Sequence, residues 1–369
     1  MQATAQSRNQ RSQMSPEARA YQEDMARGIY TREGTMVAFP TCFPGETSPI
    51  VHDESRITAL DCKPDGTIYG GTSGRQTHLF VASFRGLRGI VFDFGSPKGA
   101  TRCEAVCCGT SVSAAFVNGP RGGRAVGVPR VSIAEDLIQE WGFRRPELQD
   151  LGECVPGEAV KHAVAGAKGD IVVGATTGHV FVLDFASSKI RVVGEVPTGG
   201  RIAATRGGRM YGRDGDGHLW QYDSSRDTFR RQAIPLPRGA WNKPLIWAKD
   251  TRSGRSFVAN SQAQIFSFDD EQGFTGPVCT APLAPVGPMA VTFDGRLFGF
   301  CGDVIAKMFC YDPKSGEVAN LGVAASVIER RRYGCVFGDA VVGREGEIIF
   351  GEDDDGGHLW LYFPRIAAA

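Results

Sequence analysis

Charge of one sign is what this chain lacks first: 41 Lys and Arg stand against 41 Asp and Glu over 369 residues, a formal net charge of zero. With no global field to steer a polyanion, neither nucleic acid nor a membrane is an expected partner, and electrostatic recognition has to come from a local patch. Long apolar runs are missing too. No stretch approaches the ~20 apolar residues of a spanning helix, and the N-terminus opens on polar residues where a signal peptide would be apolar. The expectation is a cytoplasmic protein, or a secreted one if a leader has been trimmed away. The ten cysteines show no CxxC spacing, and Cys62, Cys107, Cys310 and Cys335 stand in apolar, strand-like runs. They read as buried free thiols rather than as a disulfide framework or a zinc site. A Walker loop, a GxSxG elbow, an HExxH helix and nucleic-acid motifs are absent as well.

What is present is a repeat rich in turns, consistent with 48 glycines. Residues 212–223, GRDGDGHLWQYD, return near the C-terminus as residues 351–362, GEDDDGGHLWLY. Looser copies occupy residues 70–80, GGTSGRQTHLF, and 174–184, GATTGHVFVLD. Each copy reads as a strand end, a Gly/Asp turn, a histidine and an alternating apolar strand. Seven units of roughly 40 to 50 residues, the period of propeller blades, begin near Ile57, Glu104, His162, Ile202, Leu245, Met289 and Cys335.

The last unit ends after Phe363 without an outer strand, and residues 35–40 form an apolar strand with no partner nearby in sequence. Pairing the two closes the ring and hides both edges. The fold class is therefore all-β: one seven-bladed propeller of four-stranded blades, ring closed by an N-terminal strand. It spans residues 35–369 behind a polar tail at 1–34. Ser15, Pro16 and Glu17 cap one short helix in the tail, and Ser132, with Glu135 three residues later and Gly142 at the end, marks a helical insertion at 132–142.

In such a ring the turns between second and third strands share a face with the loops between blades, and this places the candidate chemistry. The position opening the third strand is His78, His179, His218, Gln264, Lys307 or His358 in six units, and it is expected to face the channel. The inter-blade loops add His52, Arg201, Trp241, Arg332 and Tyr333. Each histidine is either a turn lock bonded to a neighbouring blade or a proton carrier. His52 and His78 lie ahead of two strands of one blade, where paired imidazoles could exchange protons near neutral pH. The run at Arg330, Arg331 and Arg332 is either a solvated charge run or a carboxylate clamp. Trp241, beside Asn242 and Lys243, is either a sugar-stacking platform or a wedge between blades. Asp214 with Asp216, and Asp353 with Asp354 and Asp355, resemble oxygen-ligand loops for Ca²⁺ without full EF-hand spacing. They serve equally as turn formers, so no cofactor is predicted and Ca²⁺ is the alternative.

The repeat at residues 65–80 resembles that of bacterial and fungal seven-bladed propellers, among them polysaccharide lyases acting on uronate-containing glycans such as ulvan. That resemblance implies a carbohydrate-active, β-eliminating enzyme with a histidine pair, a tyrosine and an arginine on the channel face. His52 and His78 match the pair. The next blade has no tyrosine and offers arginines such as Arg102, Arg124 and Arg130, so Tyr333 and Arg332 would enter from across the ring. Arg201, Trp241, Lys307, His179, His218 and His358 complete the expected substrate-binding set for an acidic oligosaccharide. The alternative is a non-catalytic scaffold that presents the same face to a protein or peptide. The sequence assigns no oligomeric state.

Overall fold

A computed structural model describes residues 34–40, 50–85, 88–110, 112–129, 147–197, 200–215, 217–241, 244–250, 253–303, 305–323, 336–354 and 357–365. Among them stand seven four-stranded antiparallel sheets, the predicted all-β, seven-bladed propeller. Blades one to six run consecutively, from the sheet of residues 56–95 to that of residues 286–323. Blade seven takes three strands from residues 337–364 and its fourth from Gly34–Pro40, which pairs antiparallel with His358–Pro364 from Gly34 opposite Pro364 to Pro40 opposite His358. The orphan strand thus lies on the edge that lacked one. The tail and the helical insertion fall outside the described residues.

The repeated motif has a packing cause. In blade four Gly212 pairs with Trp220, and a Cβ on Gly212 would lie 2.3 Å from the indole. Gly174 stands in the same relation to Phe181 in blade three, at 2.1 Å. The aromatic of the third strand lies flat across the second, and only glycine leaves room for it. The rings then fill cores shared between neighbouring blades: Phe116 of blade two with Phe181 of blade three, and Tyr211 of blade four with Phe268 of blade five. No blade buries its faces alone, and each holds the next.

Several first strands carry a bulge near their start, where one extra residue faces a single partner. Thr58, Glu104, Lys161 and Gly338 are the extra residues. At Gly338 the bulge frees a carbonyl from the ladder, which matters for the channel.

Candidate functional site

The position that opens the third strand is where the sequence puts it, since strands begin at His179, His218, Gln264, Lys307 and His358, and His78 directly precedes Leu79–Arg85. Its orientation differs from the expectation. None of these residues lines the axial cavity, because the third strand lies two strand spacings, about 10 Å, outside the channel-lining strand. They form clasps instead. His78 meets Glu54 through Nε2 at 2.9 Å and Asp93 through Nδ1 at 3.1 Å, and its backbone N–H donates to Thr72 Oγ1. His179 Nδ1 lies 2.6 Å from Glu158, which also binds Thr176 and the Gly178 N–H. His358 Nδ1 lies 2.7 Å from Glu352. Glu54 and Glu158 come from the inter-blade loops, so those two clasps each tie a turn to the loop entering their own blade, whereas Glu352 ends the second strand of blade seven itself.

Burial works against a charged His78, yet the bonds and charges of Asp93 and Glu54 outweigh it and hold its pKa above the ordinary 6.5. Burial likewise raises Glu158 and Glu352, but bonds from Thr176 and His179, and from His358 and Asp354, hold the two carboxyls below their usual range.

The remaining predicted positions separate. His52 is exposed on the 3₁₀ turn His52–Glu54 that delivers Glu54 to His78. Lys307 is buried and His218 half-buried. Trp241 is buried against Phe266 and Phe274 and donates its indole N–H to the Pro237 carbonyl, so it acts as the wedge and offers no open face for a sugar. Arg332 and Tyr333 lie outside the described residues, as do Arg330, Arg331, Arg130, Asn242, Lys243, Cys335, Asp216 and Asp355. Asp214 of the suspected Ca²⁺ loop is held by both arms of Arg231 at 3.0 Å, and no group of three metal-ligating side chains is gathered among the described residues. Eight cysteines there are free.

Among the described residues of the predicted set, Arg201 alone reaches the axial cavity, a space of about 720 Å³. The cavity runs from Arg201, His162 and Asp339 to the hairpins joining first and second strands, where Pro64, Thr110, Lys168 and Phe293 form its rim. It thus opens on the face opposite the clasps. Arg201 leads into blade four, and it crosses the ring to blade seven, donating to Asp339 Oδ1 at 3.0 Å and to the bulged Gly338 carbonyl at 2.5 Å. Asp339 Oδ2 in turn accepts the Leu60 N–H of blade one. His162 accepts the Ile202 N–H at Nδ1, which leaves its proton on Nε2. Burial and the Arg201 charge lower its pKa to about 3, so it is neutral at physiological pH. Asp61 accepts the Cys62 and Cys108 N–H groups, one on each oxygen, at 2.9 and 2.7 Å. Burial, opposed by those bonds and reinforced by Asp339, raises its carboxyl to about 6. A carboxylate so poised, in the same cavity as a neutral imidazole, can exchange a proton with a bound molecule.

Sequence reasoning missed Asp61, Asp339 and the clasp carboxylates. The available signal was an acidic residue inside an apolar inner strand, as in Arg56–Cys62 and Phe337–Val342.

No protein-family model matches the chain, and no curated protein matches it in sequence. Among solved structures, virginiamycin B lyase from Staphylococcus aureus is similar to it, with a TM-score of 0.64 over 90% of this chain and 99% of that one at 9% identity, a likeness of fold.

Proposed function

We propose that the chain is a non-catalytic propeller scaffold that offers the face of its inter-blade loops to a protein or peptide partner. One observation carries this reading: both ring nitrogens of His78 are occupied by the carboxylates of Glu54 and Asp93. In its charged form that imidazole donates twice and keeps no lone pair with which to take a proton from carbon. The test is affinity purification from expressing cells with the wild type and with a variant carrying His52→Ala, Asp53→Ala and Arg75→Ala on the exposed loop tips. A partner held by the wild type and lost by the variant is expected. An unchanged set of bound proteins overturns the reading.

A second reading is favoured by the cavity, which holds both Asp61, poised for proton transfer, and Arg201, and by the name of the lyase that shares the fold. Here the chain is a carbohydrate-active lyase cleaving uronate-containing oligosaccharides by β-elimination. Arg201, with Arg332, clamps the uronate carboxylate, Tyr333 protonates the leaving oxygen, and Asp61, which lines the same cavity as Arg201, removes the C5 proton in place of the expected His52 and His78. Incubation with a panel of uronate glycans, followed by the ultraviolet absorbance of the unsaturated product, tests it. Absence of product across the panel leaves the scaffold standing.

A further inference from the structure

We propose that the axial cavity is a binding site for a small organic cation, an ammonium-bearing molecule that enters between the first-to-second strand hairpins and takes Asp61 as its counter-ion. The charges on the wall lead to this class of ligand. Asp339 is neutralised by Arg201, His162 is uncharged, and the exposed rim carries one charge of each sign in Lys168 and Asp65. Asp61 remains, and among the described residues it has no cationic partner. Lys63, two residues on and also in the cavity wall, makes no ion pair with it: its ammonium sits over the Tyr69 ring, 5.1 Å from the centroid, against the core between blades one and two.

The two backbone donors and the Cys108 side chain fix the Asp61 carboxylate in place, and its two oxygens keep acceptor capacity for a further donor. Around it the inner strands contribute small apolar side chains, such as Val106, Val164 and Ala204. These lower the local dielectric and strengthen a charge pair formed there. Phe293 stands at the rim with 42% of its surface exposed, where a ring face attracts a passing cation. An anion meets the opposite situation, since Asp61 repels it and the Arg201 guanidinium is already engaged. The volume of about 720 Å³ falls within the range of small-molecule sites.

Titration calorimetry of the full chain with tetramethylammonium chloride, sodium acetate and calcium chloride tests the proposal. The expected result is saturable binding of tetramethylammonium alone, weakened about tenfold by Asp61→Asn and about threefold by Phe293→Ala. If Asp61→Asn does not fold, the wild type still decides: affinity must fall as pH drops below about 6, where Asp61 takes up a proton while His162, with its far lower pKa, stays neutral. Binding of acetate or Ca²⁺ in place of the ammonium, no saturable heat, or an affinity indifferent to both Asp61→Asn and pH overturns it. The site lies at the opposite end of the channel from the proposed partner face, so its failure leaves the scaffold reading intact.

Discussion

Arg201 and Asp339 meet across the channel, joining the approach to blade four with the inner strand of blade seven by a 3.0 Å ion pair. A propeller otherwise transmits force from neighbour to neighbour around the ring. This pair spans it directly, and the bulge at Gly338 makes it two-pronged by freeing the carbonyl that takes the second guanidinium nitrogen.

Removing the bridge should loosen the whole ring. Arg201→Ala leaves Asp339 beside Asp61 without a counter-charge, and since both partners are about one-fifth exposed, the loss should fall between surface and buried pairs, about 1–3 kcal/mol. Urea unfolding of Arg201→Ala, Asp339→Asn and the double variant isolates the coupling. A coupling near zero would show that the bridge is ornamental.

His78 should make stability depend on alkaline pH. Its folded pKa is above the ordinary 6.5, so its contribution is complete below that value and is lost as pH rises through the folded pKa. The melting temperature should therefore fall from slightly acidic to alkaline pH, and His78→Gln should flatten that stretch while costing about 1–3 kcal/mol for the stranded carboxylates.

His162 should act at the acid end. Its pKa drops from 6.5 unfolded to about 3 folded, so the unfolded chain binds the proton first and stability declines as pH falls through that window. The slope is at most about 1.4 kcal/mol per pH unit. Thermal unfolding of wild type and His162→Gln between those limits measures it, and parallel curves would exclude the effect.

Gly212→Ala sets a methyl group 2.3 Å from the Trp220 indole. Overpacking of this kind should destabilise by about 1–3 kcal/mol. Combining it with Trp220→Leu should recover part of that loss, read as non-additivity in denaturant midpoints.

Deleting residues 1–40 removes the fourth strand of blade seven and bares the edge of His358–Pro364. Concentration-dependent self-association should follow, visible by size-exclusion chromatography against the full chain.

The sequence by itself determined the ring. Glycine opposite an aromatic, repeated at blade period, dictates how a second strand receives a third, and a chain end without a partner strand dictates where closure occurs. These are local or edge-counting properties, and they survive in one dimension. The identity of the site was decided only in three dimensions. The histidines of the repeat looked like a channel ring, but the spacing of strands holds them off the axis, where the inter-blade carboxylates Glu54 and Glu158 claim them. Trp241 looked equally like platform and wedge until packing on Phe266 fixed it. The cavity's own charges come from three different blades: Asp61, Asp339 and Arg201 stand far apart in sequence and meet because the inner strands share one axis. Which of them is neutralised, and which is left to receive a ligand, depends on that meeting and on no repeat.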